Sequence, residues 1–237
     1  MAPDDLPLRP ERVLAVGAHP DDVEFSAGGT LVRLQELGAR VTLLVCTNGA
    51  RGGRGLSDPA GIRGTEQEQA GRILGVDEVV HLPHADGELS PGDPLLRDLV
   101  REIRRSRPEL VLAHDPRTFW QPLGGRVHPG HSDHRAAGEA CWNAVYPRAP
   151  NPNFYPEQID EGLVPWAPRE VWLFDGEERD LVVDVSESFE TKLQALAAHT
   201  SQAESAGGLV AAARAQGERN GSAEHPAEAF LRLRLLI

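Results

Sequence analysis

The chain has 237 residues, of which 40% are hydrophobic and 25% are charged, a balance typical of a folded protein with a sizeable core. Its 24 Lys and Arg residues stand against 36 Asp and Glu residues, so the formal net charge is −12 at pH 7. This charge argues against nucleic acid or an anionic membrane surface as the partner and favours a small molecule.

The cysteines and the apolar runs indicate the compartment. Cys46 and Cys141 are too few for a disulfide framework. The first residues lack the basic start and apolar centre of a secretory signal, and no run approaches the roughly 18 apolar residues of a membrane span. We therefore expect a cytoplasmic protein that does not enter a membrane, with residues 1–237 forming a single domain.

Short apolar runs alternate with longer segments of helical period, which predicts an α/β fold with a mostly parallel sheet. The predicted strands are 13–18, 41–47, 79–82, 110–114, 171–174 and 181–185, and residues 230–236 are expected to be a terminal strand or a docking segment. The predicted helices are 27–37, 65–74, 95–105, 133–145 and 189–199. Ser26 is the expected N-cap of the first helix, and Gly38 is its expected stop.

Three segments are predicted to be irregular. Residues 115–131 and 147–168 are rich in proline, so we expect a functional loop in the first case and an ordered surface excursion or lid in the second. The glycine-rich stretch 49–55 matches no phosphate-binding pattern, and we expect a mobile loop at the end of a strand.

The first segment with chemistry is His19-Pro20-Asp21-Asp22, where the first predicted strand ends. Open parallel sheets bind ligands at the carboxyl ends of their strands. His19 and Asp22 offer an imidazole and a carboxylate, a pair that suits a divalent ion such as zinc. Because neighbouring side chains do not easily face one centre, Asp21 is free to act as a general base toward water. The alternative is that these residues only cap the following helix.

The second segment is His131-Ser132-Asp133-His134, between an irregular stretch and a predicted helix. A catalytic zinc ion takes three protein ligands and keeps one position open, so either histidine could complete a set with the first segment. The other histidine would stabilise an oxyanion and protonate a leaving group, with Asp133 fixing its tautomer and favouring its protonated form. A helix cap with surface histidines is the alternative.

With both segments in view, the chain resembles the LmbE-like, PIG-L-type zinc-dependent N-deacetylases. The resemblance rests on AHPDDVE (18–24) with a following Gly-Gly pair (28–29), TNG (47–49), DGEL (86–89) and HSDHRAAGEA (131–140). Weaker support comes from Arg63 with Glu66, RPELVLAHDP (107–116), KLQALAAHTSQ (192–202) and AEAF (227–230). Ser132 is a departure, since the family often has proline there, at a position that is not expected to bind metal.

The resemblance implies a Rossmann-like, mostly parallel sheet with helices on both faces and an active site at the carboxyl ends of the strands. It implies the following roles: zinc ligands His19, Asp22 and His134, general base Asp21, and acid and oxyanion partner His131, oriented by Asp133. His128, in the sequence HPGH (128–131), is an alternative metal ligand, but it lacks an accompanying aspartate.

The reaction that the resemblance implies is hydrolysis of an N-acetyl group on an amino sugar of the N-acetylglucosaminyl type, giving a free amine and acetate. Substrate contacts are expected from Arg63, Asp86 and Asn48, although each could instead serve a local ion pair or turn. Zn²⁺ is the expected metal, with Fe²⁺ as an alternative for mixed imidazole and carboxylate ligands. The expected assembly is a homo-oligomer.

Two other functions stay open from the sequence. A metal-dependent phosphoester hydrolase would ordinarily use two metals and more carboxylates than these segments supply. A catalytically silent zinc-binding or sugar-binding protein would not need Asp21, because metal binding does not require a base whereas activation of water does. The presence of Asp21 therefore favours an enzyme.

Overall fold

The computed structural model describes residues 6–52, 55–123 and 125–236. The strands in these residues are β1 (Arg12–Gly17), β2 (Arg40–Thr47), β3 (Glu78–His84), β4 (Leu110–His114), β5 (Trp120–Leu123), β6 (Arg126–Pro129), β7 (Glu170–Phe174), β8 (Leu181–Asp184) and β9 (Ala227–Arg234). The α-helices are α1 (Asp22–Glu36), α2 (Pro59–Leu74), α3 (Asp93–Ser106), α4 (Ser132–Asn143), α5 (Pro156–Asp160), α6 (Phe189–Ala197) and α7 (Ala203–Asn220).

Seven strands form one sheet in the order β3-β2-β1-β4-β7-β9-β8. The five strands from β3 to β7 are parallel, and β9 runs antiparallel to both of its neighbours. The chain passes from β1 outward to β2 and β3 and then returns to β4 on the other side of β1. A crevice for ligands therefore lies between the carboxyl ends of β1 and β4. The predicted α/β class with a mostly parallel sheet is confirmed.

The side chains of β1 alternate between two apolar cores, because successive residues of a strand point to opposite faces. Val13 and Ala15 pack in the core that contains α1 and α6, and Leu14 and Val16 pack in the core that contains α3 and α4. Coverage on both faces explains why the central strands are continuous apolar runs that can be recognised in the sequence.

The first helix begins earlier than the sequence predicts. Its N-cap is Asp21, not Ser26, and Asp22 opens the helix directly after the turn that follows β1. Carboxylates in the first turn interact favourably with the amino end of a helix, which supports this early start. Ser26 lies inside the helix and donates its hydroxyl to Asp175 Oδ1 at 2.9 Å. Gly38, with φ of 94°, follows the end of the helix as expected.

The irregular segments contain more structure than predicted. Strands β5 and β6 form an antiparallel hairpin within 115–131, and α5 is a short helix within 147–168. Helix α7 was not predicted, since its alanine-rich and glycine-rich sequence has little apolar periodicity. Two residues of the glycine-rich stretch 49–55, at positions 53 and 54, lie outside the described residues. In the described part of the chain, no helix combines the length and apolarity needed to cross a membrane.

A buried ion pair joins the end of the chain to two helices. Lys192 of α6 places Nζ 2.7 Å from Glu228 Oε1 of β9, and both side chains are almost wholly excluded from solvent. Glu228 also accepts hydrogen bonds from the backbone N–H groups of Gly29 and Thr30 in α1. These donors satisfy the carboxylate, which would otherwise be costly to bury.

Replacing Lys192 with Met should destabilise the fold by about 3–5 kcal/mol, because it leaves the charge of Glu228 buried without its partner. The double variant Lys192→Met, Glu228→Gln should lose less, since the uncompensated charge is gone and the amide oxygen still accepts one of the two N–H groups of α1. Urea unfolding measures both free energies. Equal losses in the single and the double variant would contradict this account.

Candidate active site

A cavity of about 800 Å³ opens at the carboxyl ends of β1 and β4. Its polar side contains Asp21, Asp22, His114, His131, His134 and Asp175. Its apolar side includes Phe25 of α1 and Leu209 and Ala212 of α7, while Gln121 and His128 of the β5-β6 hairpin line its edge. The two sequence segments singled out for their chemistry therefore contribute to one cavity.

Asp22 lies at the centre of the polar side. Its Oδ1 is 3.2 Å from His134 Nε2, and its Oδ2 is 3.1 Å from His114 Nε2 and 3.5 Å from His19 Nδ1. Burial raises the pKa of Asp22, but His134 and His114 outweigh burial and hold that pKa well below its usual value. Asp22 is therefore a carboxylate that links imidazoles from three parts of the chain.

His19 is held on its far side by two carboxylates. Its Nε2 lies 3.1 Å from Asp86 Oδ1 and 3.2 Å from Asp133 Oδ2. Burial lowers the pKa of His19, but Asp133, Asp22 and Asp86 together raise it to about 12. Because Nε2 is engaged with these carboxylates, Nδ1 is the ring nitrogen that faces Asp22. An imidazole fixed in this way by carboxylates is the usual arrangement of a histidine that binds metal.

Helix α4 brings His131 and His134 to the cavity. His131 is the N-cap of the helix, and its Nδ1 accepts a hydrogen bond from the backbone N–H of Asp133 at 3.1 Å. One turn further on, Gly138 allows the helix to approach β4, since a Cβ there would lie 2.4 Å from the carbonyl oxygen of His114. This close packing places the ring of His134 in a stack with that of His114, with centroids 4.1 Å apart.

The group that orients His131 and the protonation of its ring both differ from what the sequence predicts. The Oδ1 atom of Asp133 is 4.0 Å from His131 Nδ1, so the backbone amide of Asp133, and not its carboxylate, orients the ring. A nitrogen that accepts an N–H carries no proton, which places the proton of neutral His131 on Nε2. Burial, with the charges of His19 and His134, lowers the pKa of His131. The neutral form is favoured, and it has an Nε2–H donor.

Asp21 borders the same cavity from a strained backbone position. Its φ is 99°, a left-handed conformation that residues other than glycine rarely adopt. Burial and the nearby charge of Asp22 raise the pKa of Asp21 to about 7, although Arg63 opposes them. A carboxylate with such a pKa can both accept and return a proton near neutral pH.

Arg63, predicted to contact substrate, is instead a buried partner of the Asp21 turn. Its Nη2 lies 2.6 Å from the carbonyl oxygen of Pro20 and 3.1 Å from Asp21 Oδ2, and its Nη1 donates to the carbonyl oxygen of Gly49 at 3.0 Å. With its side chain 5% exposed, Arg63 is committed to these partners.

Asp86 and Asn48 are not among the residues that line the cavity. The carboxylate of Asp86 is buried between His19 and the backbone N–H of Arg51, which donates to Oδ2 at 2.9 Å. Asn48 is exposed, and its Oδ1 accepts from the N–H of Ala50 within a turn. The structure therefore associates Asp86 with His19 and Asn48 with its own loop.

His114 and Asp175 are the residues that sequence reasoning missed. The sequence patterns do not single out His114, yet it contacts Asp22 through Nε2, and its Nδ1 lies 3.3 Å from Asp175 Oδ2. Asp175 also has a positive φ, of 61°. One signal was available: His114 ends the strand beside β1, where a parallel sheet places its ligands.

Three overlapping clusters of potential metal ligands occur among the described residues. Within each cluster the ligating atoms lie no more than 4.8 Å apart: His19, His131 and His134; Asp22, His114 and His134; and His19, Asp86 and Asp133. The predicted set of His19, Asp22 and His134 spans the first two. Imidazoles with a carboxylate are donors that suit zinc and iron, so these residues fit a divalent transition metal.

Comparisons with known proteins agree with this chemistry. The family described as GlcNAc-PI de-N-acetylase (PIG-L) matches residues 14–145. Diacetylchitobiose deacetylase of Thermococcus kodakarensis is 34% identical over 196 residues, 81% of this chain and 70% of that protein. A 1D-myo-inositol 2-acetamido-2-deoxy-alpha-D-glucopyranoside deacetylase of Rhodococcus erythropolis is 30% identical over 177 residues, 60% of this chain and 58% of that protein.

Solved structures extend the similarity to nearly the whole fold. N,N'-diacetylchitobiose deacetylase from Pyrococcus horikoshii, complexed with its inhibitor MPG, superposes with a TM-score of 0.81 at 29% identity. The superposition covers 95% of this chain and 84% of that chain. The family match includes both segments that line the cavity, and the predicted resemblance is confirmed: this chain belongs to the PIG-L (LmbE-like) family of de-N-acetylases.

Proposed function

We propose that this protein is a metal-dependent hydrolase that removes the N-acetyl group from an N-acetylglucosaminyl-type substrate. The observation that carries this proposal is the position of Asp21. A carboxylate with a pKa near 7 borders the same cavity as the cluster of imidazoles, in a chain whose relatives are amino-sugar deacetylases. A protein that only bound metal or sugar would not need this group.

His19, Asp22 and His134 would hold the metal ion, with His19 binding through Nδ1 because its Nε2 is engaged by Asp86 and Asp133. We propose Zn²⁺ as the ion, since it readily takes two imidazoles and a carboxylate and keeps a position open. When bound, the ion supplies Lewis-acid chemistry, polarising an amide carbonyl and making water more acidic.

The residues of the chain supply the proton transfers. Asp21 accepts a proton from the attacking water, whose oxygen forms a bond to the acetyl carbon. Neutral His131 donates a hydrogen bond from Nε2 to the acyl oxygen as negative charge develops there. Because the pKa of His131 is lowered, we assign the proton for the departing nitrogen to Asp21. The C–N bond then breaks, and the products are acetate and the amine.

The charges around the cavity favour a substrate without an anionic aglycone. Arg135 is the single Lys or Arg among the described residues that line it. Its Nη1 donates to the carbonyl oxygen of Gly130 at 2.9 Å, and its guanidinium lies over the ring of Phe119. A phosphate would therefore meet one partly engaged guanidinium in a lining that also holds Asp21, Asp22, Asp115 and Asp175. A neutral sugar could use the apolar side of the cavity and its hydrogen-bonding groups.

Other properties stay predictions. We propose that residues 1–237 form a single domain and that the protein is a cytoplasmic homo-oligomer. The two cysteines, Cys46 and Cys141, are buried and free, which is compatible with a reducing compartment.

Substitution of single ligands should separate metal binding from catalysis. His134→Gln and Asp22→Asn should lose stoichiometric zinc, because each removes a ligand. Asp21→Asn should retain zinc. Elemental analysis after reconstitution of the apoprotein measures the metal content. His128→Gln is the matched control, since His128 also lines the cavity but belongs to none of the three clusters. Zinc loss in this control would instead support His128 as a metal ligand.

Asp21→Asn should lower kcat for acetate release about 10²- to 10⁴-fold, the usual contribution of a general base. The assay is acetate release from N,N'-diacetylchitobiose and other N-acetylglucosaminides, with zinc content determined on the same sample. Chelated wild-type enzyme should be inactive and should recover when zinc is restored. A zinc-loaded variant that keeps the wild-type rate would refute the role of Asp21.

A matched pair of substrates tests the charge argument. N-acetylglucosaminyl-inositol should be hydrolysed with a kcat/KM about tenfold or more above that of the same compound phosphorylated on inositol, equivalent to about 1.4 kcal/mol. Both compounds carry the same acetamido group, so the difference reports the aglycone alone. Equal values, or a preference for the phosphorylated compound, would show that the cavity does receive an anion.

A further inference from the structure

The unusual backbone of Asp21 is held by a residue outside both sequence segments. Gln67 of α2 accepts a hydrogen bond from the N–H of Asp21, with 3.1 Å between that nitrogen and Oε1. A residue other than glycine with φ of 99° is strained, and it keeps this conformation only where its surroundings hold it there. The contact acts on the backbone and does not engage the carboxylate of Asp21, which pairs with Arg63 through Oδ2 and borders the cavity.

Gln67 is itself fixed on both sides. It is 0% exposed, and its Nε2 donates to Glu24 Oε1, a buried carboxylate of α1. A buried amide whose oxygen and nitrogen both have partners has one orientation available, because rotation would leave a polar group unsatisfied. The oxygen of Gln67 is therefore directed at Asp21 by its bond to Glu24.

Helix α2 is anchored by the segment that follows α6. Glu66 accepts hydrogen bonds from the hydroxyl of Thr200 at 2.8 Å and from the N–H and hydroxyl of Ser201, both at 2.6 Å. Glu66 is adjacent to Gln67, so these contacts restrain the turn of α2 that carries the amide. Thr200 and Ser201 are thereby connected to Asp21 through Glu66 and its neighbour Gln67.

We propose that Gln67 is a positioning residue for the general base. By accepting the N–H of Asp21, it holds the left-handed backbone from which the Asp21 carboxylate reaches the cavity. A shift of about 1 Å in a reacting group can cost on the order of 10²-fold in rate. The proposal rests on the proposed deacetylase function for its kinetic readout, but its structural readout is independent of that function.

The test compares two buried glutamines. Gln67→Met preserves length and removes both hydrogen bonds; it should lower kcat about 10- to 100-fold. The KM and the zinc content should stay unchanged, because the substitution touches neither the cavity nor the metal ligands. Gln158→Met is the matched control: Gln158 is equally buried and doubly hydrogen-bonded, but its partners Arg104 and Arg97 lie on α3. The Gln158→Met variant should be less stable than the wild type and should keep the wild-type kcat.

Hydrogen exchange supplies the readout that needs no substrate. Backbone amides of residues 19–24 should exchange faster in Gln67→Met than in wild type, and they should be unaffected in Gln158→Met. If Gln67→Met does not fold, Gln67→Asn serves instead, since it keeps an amide but withdraws the oxygen from Asp21 by one methylene.

The outcomes separate the two proposals. A kcat loss confined to the Gln67 variant, with zinc and KM retained, supports positioning. An unchanged kcat, a loss shared equally with Gln158→Met, or loss of zinc overturns it. If wild-type protein releases no acetate from any substrate, the deacetylase proposal fails. Hydrogen exchange is then the remaining test. Faster exchange at residues 19–24 in Gln67→Met supports the role of Gln67 in holding the Asp21 backbone, and unchanged exchange overturns it.

Discussion

The site depends on one electrostatic constraint, the burial of Asp22 among imidazoles. Asp22 lies where the strand order reverses, between β1 and β4. A lone buried carboxylate would be neutralised by protonation, but contacts with His134 and His114 keep Asp22 ionised. Those histidines must then be positioned accurately, which requires β4 and α4 to pack closely. Gly138 meets this requirement, because a larger residue would push α4 away from β4. The geometry of the strands and the charge of the site therefore support each other.

A second level of contacts gives neighbouring residues different tasks. Asp21 and Asp22 are adjacent in sequence, yet the positive φ of Asp21 separates their environments. Contacts with imidazoles lower the pKa of Asp22. Burial and the charge of Asp22 raise the pKa of Asp21, even though Arg63 contacts its carboxylate. One turn of backbone thus places two carboxylates in different electrostatic surroundings, which suits the proposed division into a metal ligand and a general base.

Much of this arrangement could be predicted from the sequence, for reasons that are local. The central strands are buried on both faces, so β1, β2 and β4 appear as apolar runs, and the two histidine-aspartate segments follow a strand or begin a helix. The start of α1 was missed because its cap is a strained aspartate with no side-chain cap bond. His114 was missed because its partner Asp22 lies 92 positions away in the sequence. The substrate role expected for Arg63 came from the resemblance, and its contact with Asp21, 42 positions away, could not be read from the sequence.

The β5-β6 hairpin has a consequence for how this fold can diversify. It forms a separate two-stranded sheet, exposes Phe119, Trp120 and Val127, and contributes Gln121 and His128 to the edge of the cavity. Since its strands are not part of the central sheet, changes in hairpin length or composition need not disturb β1, which leads to His19, or β4, which ends at His114. Evolution or an engineer can therefore alter which molecules enter while inheriting the reaction chemistry intact, so that selectivity and turnover become separately adjustable traits.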